Sequence, residues 1–262
     1  MARWTLLGSV GGTIAPLIVT ALFFLGRGWR EMYLALAVVG AIYVAILVRQ
    51  RFDAHAGAER ASTSVGELLR NLVGGLKNRQ LLRWVLITEL ADLMLDKLLE
   101  VTGLYFHDVV GVDFAQASGS VAIFTIAGLA GNALVIPALE KFRGTRLLRA
   151  SAVLTLALYV AFLLVPIAWV KFALIALISF CTSGWYAILR ANTFAVLPGQ
   201  SGLVIAVTSL GNISSVFVPL VLGRLADIFG LQWAMWLLVL GPIALIVGLP
   251  SKPAAGLEPA VR

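Results

Sequence analysis

Apolar residues in this chain come in long, nearly unbroken runs, not in the alternation of a half-buried strand or the narrow stripe of a soluble helix. Eight runs are legible: 5–25, 32–48, 84–106, 118–138, 147–166, 170–189, 203–222 and 231–249. A helix needs about 20 apolar residues to cross the hydrocarbon core of a bilayer, where every backbone polar group must find its partner within the segment. Each run therefore predicts a membrane-spanning helix, and the fold class is an all-α integral membrane protein of eight transmembrane helices. Trp4, Trp29, Trp84, Trp169, Trp233 and Trp236 fall near predicted ends, where an indole suits the headgroup level. The first run is longer than the apolar core of a signal peptide and lacks a small-x-small exit, so it counts as a span.

Polar connections between the runs are short except for 49–83. There Ser64-Val-Gly-Glu67 has the form of a capping box. Val65, Leu68, Leu69, Leu72 and Leu76 follow at helical spacing, with Arg70 and Lys77 on other faces. The pattern predicts a short amphipathic helix along the cytoplasmic membrane surface. Fifteen of the 20 Lys and Arg residues fall on one side of the predicted topology, among them Arg3, Arg79, Arg149, Arg190 and Arg262. Arg27, Arg30, Lys171 and Arg224 fall on the other, and Lys97 lies within a span. The positive-inside bias makes the basic side cytoplasmic, and an even number of spans brings both termini there. Cysteines introduced at Ala58 and Ala255 are therefore expected to resist an impermeant thiol reagent in intact cells. Labelling at either position overturns this orientation.

Composition agrees with the bilayer reading and removes other classes. The chain is 60% hydrophobic and 13% charged, against about 45–50% and about 25% in soluble domains. A net charge of +7 raises nucleic acid as a partner, but the basic residues are scattered over connections and form no aromatic-interleaved patch. A single cysteine, Cys181, excludes an internal disulfide. His55 and His107 have no ligand-spaced partners, so no metal site is expected. There is no P-loop, no G-x-S-x-G and no dinucleotide fingerprint, so neither a cofactor nor an enzymatic activity is expected.

One span carries chemistry. Residues 88–105, TELADLMLDKLLEVTGLY, hold Glu89, Asp92, Asp96, Lys97 and Glu100 in apolar company. At about 100° per residue the four carboxylates fall within an arc of about 80°, with Lys97 beyond its edge and beside Glu100 at i, i+3. Facing lipid, two central Asp and two flanking Glu would cost on the order of 8–12 kcal/mol. The stripe must therefore face a water-filled cavity or paired partners. One lysine matches one carboxylate and leaves three, which cannot all stay ionised at close range. Two readings follow: a pathway for protons or cations, or an ion-pair network that locks helices together. Trp185, Tyr186, Arg190 and Asn192, in or just after the sixth span, form a second polar group, with Tyr186 and Arg190 on one face at i, i+4; Arg190 also reads as a cation snorkelling to the inner interface. Asn132, Asn212, Ser214 and Ser215 read as interhelical hydrogen-bonding residues, and Gly8-xxx-Gly12 and Gly128-xx-Gly131 as close-packing surfaces.

The chain also repeats itself. Leu7, Gly8, Pro16 and Leu17 in LGSVGGTIAPL match Leu210, Gly211, Pro219 and Leu220 in LGNISSVFVPL, and Met32 and Leu34 match Met235 and Leu237, all at one offset. That offset contains six spans, so spans one and two read as the end of one six-helix unit and spans three to eight as a complete second one. Parallel six-helix repeats are a transporter architecture. By this count about four helices are missing before the first.

At this point the sequence resembles the major facilitator superfamily of secondary transporters, over its last eight helices. PALEKFRGTRLLR (137–149) sits where that family repeats a G-x-L-A-D-R-x-G-x-K/R loop. Gly144 and Arg146 fit it, while Lys141 and Phe142 stand where Asp and Arg are expected. LRANTFAVLPGQSG (189–202) is similar to the family's tenth helix and the turn after it, GRLADIFG (223–230) to its Gly-x-Leu-Ala-Asp pattern, and GSVGGTIAP (8–16) loosely to its fifth-helix signature.

The resemblance implies the last two helices of a first half at 1–48, a cytoplasmic inter-half loop at 49–83, a six-helix second half at 84–249 and a cytoplasmic tail at 250–262. It implies a plasma-membrane protein, an N-terminally incomplete secondary transporter of a small solute, with proton or cation coupling at the stripe. The pathway residues are then Glu89, Asp92, Asp96, Lys97, Glu100, Trp185, Tyr186 and Arg190. The partners are the lipid bilayer, the solute and protons or cations, with no nucleic acid; the sequence does not specify an oligomeric state. A non-transporting membrane partner and an integral membrane enzyme remain the alternatives.

Overall fold

The computed structural model describes Gly8, Gly11 and residues 29–49 and 72–249. The first span beyond its two glycines, the Ser64–Glu67 box, the tail 250–262 and the side chains of Asn212, Ser214 and Ser215 lie outside the described residues. Among the described residues every element is helical.

The chain divides into two compact units. One, Val10–Arg70, contains helix α1 (Trp29–Arg49). Glu31 in its first turn and Arg49 in its last both suit the helix dipole. Between them Tyr33, Leu36, Val39, Tyr43 and Ile46 are exposed. A helix apolar on every side suits lipid or other membrane helices, not water.

The other unit holds Asn71 onward. Asn78 opens α2 (Arg79–Asp92) by accepting the backbone N–H of Gln80 and Leu81 at 3.0 and 3.1 Å. Helix continues through a π turn at Leu93–Lys97, α3 (Leu98–Tyr105) and a second π turn at Phe106–Val110. Gly111, at φ 78°, ends it in the left-handed conformation that glycine adopts freely. Asp113 then caps α4 (Phe114–Lys141) through the Gln116 N–H at 2.7 Å. After it come α5 (Gly144–Leu164), α6 (Ala168–Thr182), α7 (Trp185–Ala195), α8 (Ser201–Phe229), α9 (Leu231–Ala234), a 3-10 segment at Met235–Val239, and α10 (Leu240–Gly248).

Phe114–Lys141, Gly144–Leu164, Ala168–Ala195, Ser201–Phe229 and Leu231–Gly248 are long and apolar enough to cross a membrane. They overlap the last five predicted spans; three of them run well past the predicted ends, and Leu231–Gly248 stops one residue short. The predicted span 84–106 lies inside the helical run from Arg79 to Val110, but its charges keep it out of that apolar class.

The main core gathers Met94 and Leu98 from the stripe-bearing run, Tyr159 and Phe162 from α5, Ile175 and Ile178 from α6, Trp185 and Leu189 from α7, and Met235 and Leu245 from the last segment. Tyr159 Oη donates to the Met235 carbonyl at 2.9 Å, at the point where α9 tightens into 3-10 geometry. Large apolar side chains such as Phe114, Leu134, Phe217 and Leu220 point outward, as a bilayer allows.

Candidate functional site: a carboxylate stripe on a π-bulged helix

The two π turns have a common local cause in packing. A π turn closes i→i+5 bonds, here from the Leu98 N–H back to the Leu93 carbonyl. Its wider circuit lets two consecutive residues face the core: Leu93 and Met94 at the first turn, Tyr105 and Phe106 bordering and entering the second. In an α-helix such neighbours point about 100° apart. The extra residue also rotates whatever follows it by about one residue's turn. Lys97 is the last residue of the first π turn.

Lys97 Nζ lies 2.6 Å from Glu100 Oε1, with the lysine side chain 13% exposed and the glutamate 50%. Asp92 is half-buried, with Asp96, Lys97 and Glu89 as its charged neighbours. Asp96 and Glu100 are exposed, while Met94 and Leu98 beside them are fully buried. The helix thus buries one apolar face in the core, while its exposed surface carries these carboxylates together with Leu86, Leu90 and Leu104.

Neighbouring helices hold it in place. Gly241 of α10 lies so close that a Cβ there would sit 3.0 Å from the Leu90 carbonyl oxygen and 3.2 Å from Met94 Cγ. On another side Gly211 of α8 leaves room for Val85 and Glu89, whose Oε1 lies 3.3 Å from where its Cβ would be. Glu89 therefore sits at the crossing with α8, and Asp92, Asp96 and Glu100 run away from it along one helix. Among the described residues, no three such groups converge to hold a metal ion.

The second predicted group is distributed differently. Trp185 is buried, and its Nε1 donates to Ser151 Oγ of α5 at 2.9 Å, so it ties α7 to α5 from within the core. Tyr186 and Arg190 do meet, the Arg190 Cζ standing 5.2 Å from the Tyr186 ring centre. Both are half-buried, and Arg190 Nε is a buried donor without a hydrogen-bond partner. α7 packs directly on α2, so this pair stands on the helix next to the stripe.

The profile of the Major Facilitator Superfamily matches residues 1–212, most of the chain and all of the stripe. The chain belongs to the major facilitator superfamily. No curated relative matches it. Membership in this superfamily makes the protein an integral membrane protein and, in general function, a secondary transporter of small solutes across a lipid bilayer.

One polar residue escaped the sequence reading. Lys171 counted only as an outer-side charge, yet the structure buries it at 5% exposure. Its Nζ donates to Tyr105 Oη at 2.9 Å and to the Phe162 carbonyl. The available signal was its place inside the apolar run 170–189 instead of in the connection before it.

Proposed function

We propose that the protein couples movement of a small solute to protons, with Glu89, Asp92, Asp96 and Glu100 as the coupling carboxylates and Lys97 as their internal counter-charge. The observation that carries this reading is the exposure of Asp96 and Glu100 on a helix whose Met94 and Leu98 are sealed in the core. A transmembrane carboxylate so placed is tolerated where it lines a hydrated path. The linear spacing of the groups favours a proton over a chelated metal cation, because a proton needs one acceptor at a time and a metal needs several ligands around a point. The solute site lies near the bilayer midplane, on the side of the α2–α3 helix that carries the carboxylates. Tyr186 and Arg190 add a cation and an aromatic face beside the stripe. Both termini and residues 49–83 lie on the cytoplasmic side of the plasma membrane.

The ion-pair alternative rests on the Lys97–Glu100 bridge. It accounts for that carboxylate and leaves Asp92 beside Asp96 without a reason.

The direct test is to reconstitute the chain into vesicles holding a lumenal pH dye and to screen solute classes for proton movement on solute addition. A solute that moves protons supports coupling. Solute uptake indifferent to an imposed pH gradient removes protons from the mechanism.

A further inference from the structure

A recess of about 430 Å³ opens where α5 ends, α6 begins and α9 starts, against the second π turn. Lys171, Tyr105, Gln232, Trp233 and Trp236 supply its polar groups, and Val109 and Val110 part of its apolar wall. Neither it nor Lys171 belongs to the carboxylate stripe, and nothing in the coupling reading uses them.

An ammonium group has three N–H donors. Lys171 spends one on Tyr105 Oη and one on the Phe162 carbonyl. The latter is one of the last carbonyls of α5, which no intrahelical N–H reaches. The ring centres of Tyr105 and Phe162 lie 5.1 and 4.9 Å from Nζ. These contacts explain why a lysine is tolerated there. They leave its charge without an anion, because all its partners are formally neutral and none of the ion pairs among the described residues includes it. Asp108, close by in sequence, is held by its own neighbour His107 at 2.6 Å, and Asp113 accepts the Gln116 N–H. A buried charge is costly unless paired.

The rest of the recess has matching chemistry. The Tyr105 oxygen accepts from Lys171, so its hydrogen is free to donate. Gln232 offers an amide NH₂, and the two indoles are donors only. No Asp or Glu lines the recess. The geometry points to a binding site for an oxyanion with an apolar body: the charge sits between Lys171, Tyr105 and Gln232, and the body lies on the indoles and the valine wall. A carboxylate-bearing solute and the phosphate of an anionic lipid share this chemistry.

Quenching of tryptophan fluorescence tests the site in the full chain, purified in a neutral detergent. The probe is 4-iodobenzoate, with 4-iodobenzyl alcohol as its uncharged control. Saturable quenching by the carboxylate alone is expected. Reversal by benzoate but not by phosphatidylglycerol marks a soluble ligand, and reversal by phosphatidylglycerol marks a lipid; either supports the site. Lys171→Met should weaken the saturable phase at least about ten-fold, the scale of one lost charge-assisted hydrogen bond, and Lys171→Arg should restore part of it. Should Lys171→Met fail to fold, Tyr105→Phe and Gln232→Leu keep the cation, and each should weaken binding several-fold. Wild-type quenching that is linear, or equal for acid and alcohol, overturns the proposal and leaves Lys171 as a cap for α5. So does a saturable phase that none of the folded variants changes.

Discussion

Asp96→Asn is expected to reduce solute-driven proton flux to the level of empty vesicles while the chain still folds and inserts. Asparagine keeps the shape of aspartate while removing its charge and its capacity to gain and lose a proton. Asp96 is the member best placed for that exchange. Glu100 is committed to Lys97 at 2.6 Å, Glu89 is wedged at the α8 crossing, and Asp92 is more enclosed than the exposed Asp96. The variant also relieves repulsion between Asp92 and Asp96, so its thermal stability should match or exceed that of the wild type. Solute exchange that needs no net proton movement should survive. The measurement is lumenal pH during solute addition, repeated across external pH. An unchanged flux with an unchanged pH profile would remove Asp96 from the coupling path, and a variant that fails to fold would favour the structural ion-pair reading.

The second large effect is expected at the crossing of α4 and α6, the most extensive helix pair in the unit. A Cβ on Gly131 would stand 2.6 Å from the Phe180 carbonyl oxygen and collide with Ser183 Oγ as well. A backbone carbonyl cannot step aside, so Gly131→Val must push the two helices apart. The same crossing carries the Ser179 Oγ bond to the Phe124 carbonyl at 2.6 Å, which that separation would break. Overpacking alone costs about 1–3 kcal/mol, and a broken interhelical hydrogen bond adds about 0.6 kcal/mol on the membrane average. Gly119, in the same helix, has nothing within 4 Å of where a Cβ would stand, so Gly119→Ala should be neutral or stabilise by up to about 1 kcal/mol. Cys181 is the one cysteine in the chain and is half-buried in α6, so thermal unfolding can be followed by a thiol-reactive dye. Equal midpoints for Gly131→Val and Gly119→Ala would show that this crossing is looser than the contacts imply.

The membrane-spanning helices were legible in the sequence because the bilayer imposes a local rule. A segment in hydrocarbon must be helical, apolar and about 20 residues long whatever its neighbours are, so the last five spans could be read from runs of apolar residues alone. The grouping of Glu89, Asp92, Asp96 and Glu100 was legible for the same reason, since helical periodicity is a property of one segment. Gly128 and Gly131 were likewise visible as small residues at a close-packing spacing. The Lys97–Glu100 pair followed from the i, i+3 spacing too. The π turn beneath it was not legible: no glycine or proline announces it, and its two consecutive core residues, Leu93 and Met94, are buried by helices distant in sequence. Trp185 and Lys171 were decided the same way. An aromatic or a lysine in an apolar run serves equally as pathway, interface anchor or core, and only the approach of Ser151 to one and of Tyr105 and Phe162 to the other settles what each side chain touches. The sequence by itself determined which segments enter the membrane and which carboxylates share a helix, because both follow from local chain geometry and a uniform solvent. The tertiary structure decided which charges are paired, exposed or enclosed, because that depends on neighbours the local pattern does not specify.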